Sequence, residues 1–367
     1  MDQEEGLRQF LTDPKVISVP VNRRRIDFKY RAILSFFFHT CYYVYLTYFK
    51  KYFPNSNKLN SIRKLGIFMN PYRKIIDALN IDVLHVPFKI APVYGIKTPV
   101  IVTMHDIQEM YFPQFFTSQE RIDRAIIYKM AVDESDHIIV SFDHIKQDIV
   151  QYFEVPEDKI SVCGLPLANS WFVNNSCTTK PELIKKYSIK EQFILYPAAT
   201  WQHKNHLILI KAISILKERG VETYLVCTGD KNKHFEVIEK EIEKLGLQNS
   251  AKFLGVVPEE DLMGLYQSTE LTVIPTLYEA GSGPLFESMR YGAPVICSNV
   301  TSLPETIGNS QYIFDPQNPI EIADLIERGL SDKEWKKGNI ENSIKRMGYY
   351  QSLNISSDYF NVYKSLI

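Results

Sequence analysis

The chain has almost no charge imbalance. Its 367 residues carry 42 Lys and Arg against 43 Asp and Glu, a formal net charge of -1. A nucleic-acid binder would show a strong basic excess, so the balance argues against that class. Cysteine is scarce and scattered: Cys41, Cys163, Cys177, Cys227 and Cys297 are odd in number, and no pair has metal-site spacing. Free thiols in a reducing cytosol are the plain expectation. No Asp-x-Asp occurs, so no carboxylate pair for a divalent metal on a diphosphate is visible. There is no Walker loop and no Gly-x-Ser-x-Gly elbow. The first residues are acidic and polar, unlike a signal peptide. Long apolar runs are also lacking. The nearest is 32–49, eighteen uncharged residues between Arg23, Arg24, Arg25 and Lys50, Lys51. That is the lower edge of a membrane-spanning length. The run holds His39, Thr40, Thr47 and four tyrosines, which lower its hydrophobicity. It reads first as a long aromatic helix packed on a domain. A peripheral membrane contact ranks second, since Tyr and Phe with flanking cations suit an interface. A true span ranks third.

What is present is alternation. Strand-like runs occur at 16–20, 83–86, 100–103, 137–140, 193–196, 223–227, 252–255, 271–275, 295–297 and 312–314. Helical patterns lie between them, at 118–134, 144–153, 205–219 and 233–245 among others. Asn205 suits an N-cap, while Gly220 and Gly246 suit helix stops. Alternating strands and helices predict parallel sheets with right-handed crossovers. A Pro- and Asn-rich stretch near 165–190 separates two such series. The expected class is therefore α/β, two doubly wound Rossmann-like domains facing across a cleft. Residues 1–170 would form the first domain and 171–190 a linker. Residues 191–345 would form the second domain, and a helix over 346–367 would pack back on the first. In such sheets ligands bind beyond the carboxyl ends of the strands.

Two glutamates with seven residues between them, Glu279 and Glu287, bracket Ala280-Gly281-Ser282-Gly283-Pro284-Leu285-Phe286. The segment follows one strand-like run and precedes a helical run and another strand. Backbone N–H groups at such a helix start can hold an anion, and the carboxylates can accept from hydroxyls. Gly281 and Gly283 would allow close ligand approach. Pro284 fits the first helical position, which places Glu287 in the first turn. The bland alternative is a glycine turn with two surface glutamates, one favouring the helix dipole. Lys204 lies in a loop at the mouth of the next helix after strand 193–196. There it could neutralise a diphosphate, or be a solvated lysine. His105 and Asp106 sit at the carboxyl end of strand 100–103, in reach of acid–base or orienting work, or of capping. The other histidines show no metal spacing, and His203 and His206 merely flank Lys204.

On these residues the chain resembles the retaining GT-B glycosyltransferases of family 4. The donor-binding half is similar at 278–298 and at Ser302-Leu303-Pro304-Glu305. The lysine loop and helix at 196–215 also match, as do 83–88 and 103–108 in the first half. The resemblance implies that Glu279 contacts donor-sugar hydroxyls near the reacting carbon and that Glu287 binds the ribose. Gly281, Ser282, Gly283, Pro284 and Leu285 would present the segment's N–H groups, where Pro284 itself has none, to sugar and diphosphate. Lys204 would neutralise the leaving diphosphate. His105 would lie against the sugar from the acceptor side, and Val256 and Val257 would touch the base through their backbone. The family needs no metal or other cofactor; the nucleotide-sugar is a substrate. The acceptor would be a glycan or a lipid-linked glycan of bacterial surface polysaccharide, met in the cytoplasm or at the inner membrane face. A same-fold epimerase and a degenerate donor-binding protein are the alternatives.

Three departures stand out. Ala199 replaces the arginine usual five residues before the lysine. Glu279-Ala280-Gly281-Ser282 replaces the commoner Glu-Gly-Phe-Gly. The family's opening strand and glycine loop are not found, so the chain reads as shortened by some tens of residues. Its first sheet would then lack a central strand.

Overall fold

The computed structural model describes residues 23–52, 57–89, 93–164 and 177–367, with Lys15, Val19 and Val21. The strand expected at 16–20 falls almost wholly outside them.

Helix α1 (Ile26–Val44) runs on through a wider turn (Tyr45–Phe49), followed by α2 (Asn57–Met69) and α3 (Arg73–Leu79). Then come β1 (Leu84–Val86), β2 (Val100–Thr103), α4 (Gln108–Tyr111), α5 (Ser118–Glu134), β3 (His137–Val140), α6 (Asp143–Phe153) and β4 (Ile160–Val162). The strands pair in parallel in the order β1-β2-β3-β4. Among the described residues this sheet is unbroken, does not reverse its strand order, and has β1 at one edge. Strand β4 carried too short an apolar run to be noticed in the sequence.

The second series is α7 (Lys180–Tyr187), β5 (Ile194–Pro197), α8 (His206–Glu218), β6 (Leu225–Thr228), α9 (Phe235–Lys244), β7 (Ala251–Phe253) and α10 (Glu259–Ser268). It continues with β8 (Leu271–Ile274), α11 (Gly283–Arg290), β9 (Val295–Ser298), α12 (Leu303–Ile307), β10 (Ile313–Phe314), α13 (Pro319–Ser331), α14 (Lys333–Ser352) and α15 (Ile355–Lys364). Its parallel order is β10-β9-β8-β5-β6-β7, which reverses between β5 and β8. Strands β5, β6, β8 and β9 are buried along their whole length, as a sheet covered on both faces requires. Helix α7 is no loose connection: Leu183 is buried with Phe193, Leu195 and Tyr266.

Local chemistry explains the clearest boundaries. Helix α5 starts on a reciprocal cap in which Glu120 N–H donates to Thr117 Oγ1 at 3.2 Å and Thr117 N–H donates to Glu120 at 2.7 Å. One cap differs from expectation. Asn205 precedes α8 but lies at φ 59° and makes no side-chain cap. Its amide donates instead to the carbonyls of Pro275 and Pro316, at 2.9 and 2.8 Å. The side chain ties the β5 loop to the β8 loop rather than starting a helix.

Candidate functional site

Ligand sites of open α/β sheets form where the strand order reverses. Here that point lies between β5 and β8, and the loops leaving these strands carry Lys204 and Glu279. Lys204 closes a short helical turn (Gln202–Lys204) above Tyr196, whose hydroxyl donates to the Lys204 carbonyl at 2.7 Å. The loops are laced together. Leu277 N–H donates to the His203 carbonyl at 2.7 Å, and Thr276 Oγ1 lies 3.1 Å from the same oxygen. Glu279 is pinned on both sides of its peptide. Its N–H donates to Thr301 Oγ1 and its carbonyl accepts from Ser302 Oγ, each at 3.0 Å.

Lys204 Nζ lies 2.5 Å from Glu279 Oε1, with both side chains mostly buried. Burial pushes the Glu279 pKa up, and Lys204 only partly offsets that. Next in the chain, Gly281 has φ 150°, in the region that favours glycine. Gly283 shows no positive φ, and a Cβ there would meet only Glu287 at 3.8 Å. Its smallness therefore leaves room for a ligand rather than for the backbone. Among the described residues no group accepts from the N–H of Ala280, Gly281 or Gly283. Ser282 caps α11 by accepting from Leu285 N–H at 3.4 Å.

Two details correct the sequence reading. Gly283 is the first helical residue and Pro284 the second, so Glu287 stands beyond the first turn. There Tyr266 donates to Glu287 Oε2 at 2.6 Å, and burial again raises the carboxyl pKa. A group bonded in this way has one oxygen left for a ligand hydroxyl. Val256 and Val257 follow β7 at the far side of the sheet, and Val256 is 78 % exposed.

The first sheet supplies the opposing wall. His105 Nε2 lies 3.0 Å from the Pro87 carbonyl. A carbonyl only accepts, so Nε2 carries the proton. Asp106 is paired with Lys89. Two residues beyond His105, Ile107 N–H donates to the Tyr278 hydroxyl at 3.3 Å, and Tyr111 packs on the Tyr278 ring at 5.3 Å. These contacts set the His105 loop against the Glu279 loop. His203, beside Lys204, has its pKa lowered to about 4, chiefly by burial and then by Lys204. Among the described residues no three His, Cys, Asp or Glu converge as metal ligands. Reading the sequence gave no role to Tyr196, Tyr278 or Ser302, although they lie in the matched segments, and did not single out Tyr266, Thr276 or Thr301. Their polar atoms serve the site only through folded contacts, and no spacing announces them.

Two parallel sheets facing across a cleft, with an anion-ready turn at a switch point, define the GT-B class of glycosyltransferase. The family described as "Glycosyl transferases group 1" matches residues 179–346, and "Glycosyltransferase Family 4" matches 43–164. The chain belongs to this glycosyltransferase family and is an enzyme of it. It is 26% identical over 268 residues to the O-antigen chain mannosyltransferase B of Escherichia coli, covering 72% of this chain and 70% of that one. A glycosyltransferase from Rickettsia africae shares the fold with a TM-score of 0.62 at 21% identity, covering 85% of this chain and 83% of that one. Anabaena HepE, solved with UDP and glucose, does so with a TM-score of 0.59 at 16% identity, over 85% and 76%.

Proposed function

We propose that this glycosyltransferase moves a sugar from a nucleotide-sugar to a glycan or lipid-linked acceptor, with retention of anomeric configuration and without a metal. The observation that carries the reading is the Lys204–Glu279 pair beside the N–H groups of Ala280, Gly281 and Gly283, from which no described group accepts. Lys204 is the cation for the departing diphosphate, and its compact ammonium suits a point-charge role. The turn's N–H groups hold the same anion, and Glu279 and Glu287 accept from sugar and ribose hydroxyls. His105 faces the donor sugar from the other wall. Attack comes from the face the diphosphate leaves, and the leaving phosphate oxygen takes the acceptor's proton. The mannosyltransferase relative and the UDP and glucose bound to a fold neighbour support donor and acceptor classes of this kind. The O-antigen activity of that relative supports a role in bacterial surface polysaccharide assembly, on the cytoplasmic side. The test is nucleoside diphosphate release across a panel of nucleotide-sugars. Release unaffected by EDTA is expected, and the product should keep the donor's anomeric configuration by NMR. No binding and no release with any donor would sink the reading; an inverted product would overturn retention alone.

Peripheral contact with an anionic membrane belongs to the same proposal. No described helix is long and apolar enough to cross a membrane. Ile26, Tyr30, Ile33 and Phe37 recur at helical spacing on the face of α1 opposite Arg31 and Ser35, and all four are exposed. Lys29 is exposed beside the stripe and Lys50 and Lys51 are exposed past the far end of the helix, cations that complement anionic headgroups. The double variant Ile33→Ser, Phe37→Ser should lose co-sedimentation with phosphatidylglycerol vesicles while keeping turnover on a lipid-free acceptor. Unchanged sedimentation would refute the contact.

A further inference from the structure

A cavity of about 870 Å³ opens between the two sheets beside the Lys204 loop. One wall is the segment after His105, from Gln108 through Phe115 and Phe116. The other is Trp201, Gln202 and His203, joined by Asn232 after β6. Each wall is therefore continuous in sequence with a residue of the site above. We propose that this cleft holds the sugars of a glycan acceptor next to the one that reacts, stacking a pyranose ring on Trp201 against Phe115 and Phe116. The proposal rests on the glycosyltransferase reading and names the acceptor subsite of that same reaction.

The chemistry of the lining carries it. Sugar rings present an apolar face of C–H groups and an equatorial belt of hydroxyls. Aromatic rings match the first and amide side chains the second. The rings are held in place. Phe112 stacks on Phe115 at 5.2 Å, and Arg124 lies over Phe116 at 4.6 Å. Trp201 is 55 % exposed on a turn fixed by its own N–H, which donates to the Ala199 carbonyl at 2.8 Å. A large indole left this open on a fixed turn offers its face to the cleft.

Asn232 supplies an independent sign. His234 N–H lies 2.9 Å from Asn232 Oδ1. A backbone N–H only donates, so the amide's orientation is fixed with Oδ1 inward. Its Nδ2 is then a buried donor that no described group accepts from. A buried donor without an acceptor is costly unless a ligand supplies one, and a sugar hydroxyl does.

A cleft this size exceeds what one hexose needs. The acceptor is thus a chain of at least two sugars, and the enzyme extends glycans that another glycosyl transfer has begun.

The test uses α-linked manno-oligosaccharides of one to four sugars as acceptors for the full chain. kcat/KM should rise from one sugar to three. Trp201→Ala should raise KM for the trisaccharide about tenfold, the size of a lost aromatic contact, with kcat nearly unchanged. Donor KM and hydrolysis of the donor by water should not move, and Trp201→Phe should restore most of the loss. Saturation-transfer NMR of the trisaccharide should lose its signal in the alanine variant. Equal kcat/KM at every length, or an unchanged trisaccharide KM in Trp201→Ala, would overturn the subsite while leaving the transferase reading intact. Absence of turnover with every donor and acceptor would remove both.

Discussion

At Glu279 burial and pairing oppose each other, and burial wins. The carboxyl prefers its neutral form more than a free glutamate does, even with Lys204 at 2.5 Å. The fold therefore gains little from the charge, which is kept for the reaction. Glu279→Gln should leave the melting temperature unchanged or higher, while turnover falls by about a hundredfold or more. A lost Tm with retained activity would reverse the assignment. Lys204→Met removes the cation that holds the Glu279 pKa down. The raised folded pKa then rises further above the unfolded value. Below the unfolded pKa, about 4.3, the carboxyl is protonated in both states and carries no penalty. As pH climbs past it, the ionised buried form becomes steadily more costly. The Tm deficit of Lys204→Met should therefore be small near pH 4.5 and grow toward pH 8. A deficit constant across that range would show that the pair is not coupled.

The loops are set by the strands they leave. Gly229 follows β6 at φ 109°, and a Cβ there would lie 2.6 Å from Ala198 C and Ala199 N. Backbone cannot yield as a flexible side chain does. Gly229→Ala should cost about 1–3 kcal/mol of stability and push on the loop that carries Lys204. Thermal melts and donor titration should both shift; a normal donor affinity would uncouple the two loops. Element boundaries were legible where the signal is local. Helix α5 has the bounds that Thr117 and Glu120 announce, because a capping box is written within four residues. Asn205 misled because its amide satisfies two carbonyls 70 and 111 residues away in the sequence rather than its own helix.

The C-terminal helix joins the two halves of the molecule. Val362 of α15 is buried with Ile101, Ile139 and Cys163 of the first sheet, and Tyr363 OH lies 2.7 Å from His85 Nδ1. Burial pushes the Cys163 thiol up to about 11 and keeps it unreactive. Val362→Asp should detach α15, so that Cys163 becomes open to thiol reagents in the otherwise folded protein. Unchanged labelling would show that the helix is held by other contacts. By itself the sequence determined the parallel α/β class, the strand–turn–helix at 271–290 and the residue types of a phosphate-and-sugar site. Those follow from periodicity and from turn chemistry, which act over a few residues. Tertiary structure alone decided that Lys204 and Glu279 form one pair. It also decided that Tyr278 bridges to the His105 loop, and that Trp201 and Phe115 line one cavity. Each of these depends on the reversal of strand order between β5 and β8 and on the packing of one sheet against the other, and long-range pairing leaves no local pattern to read.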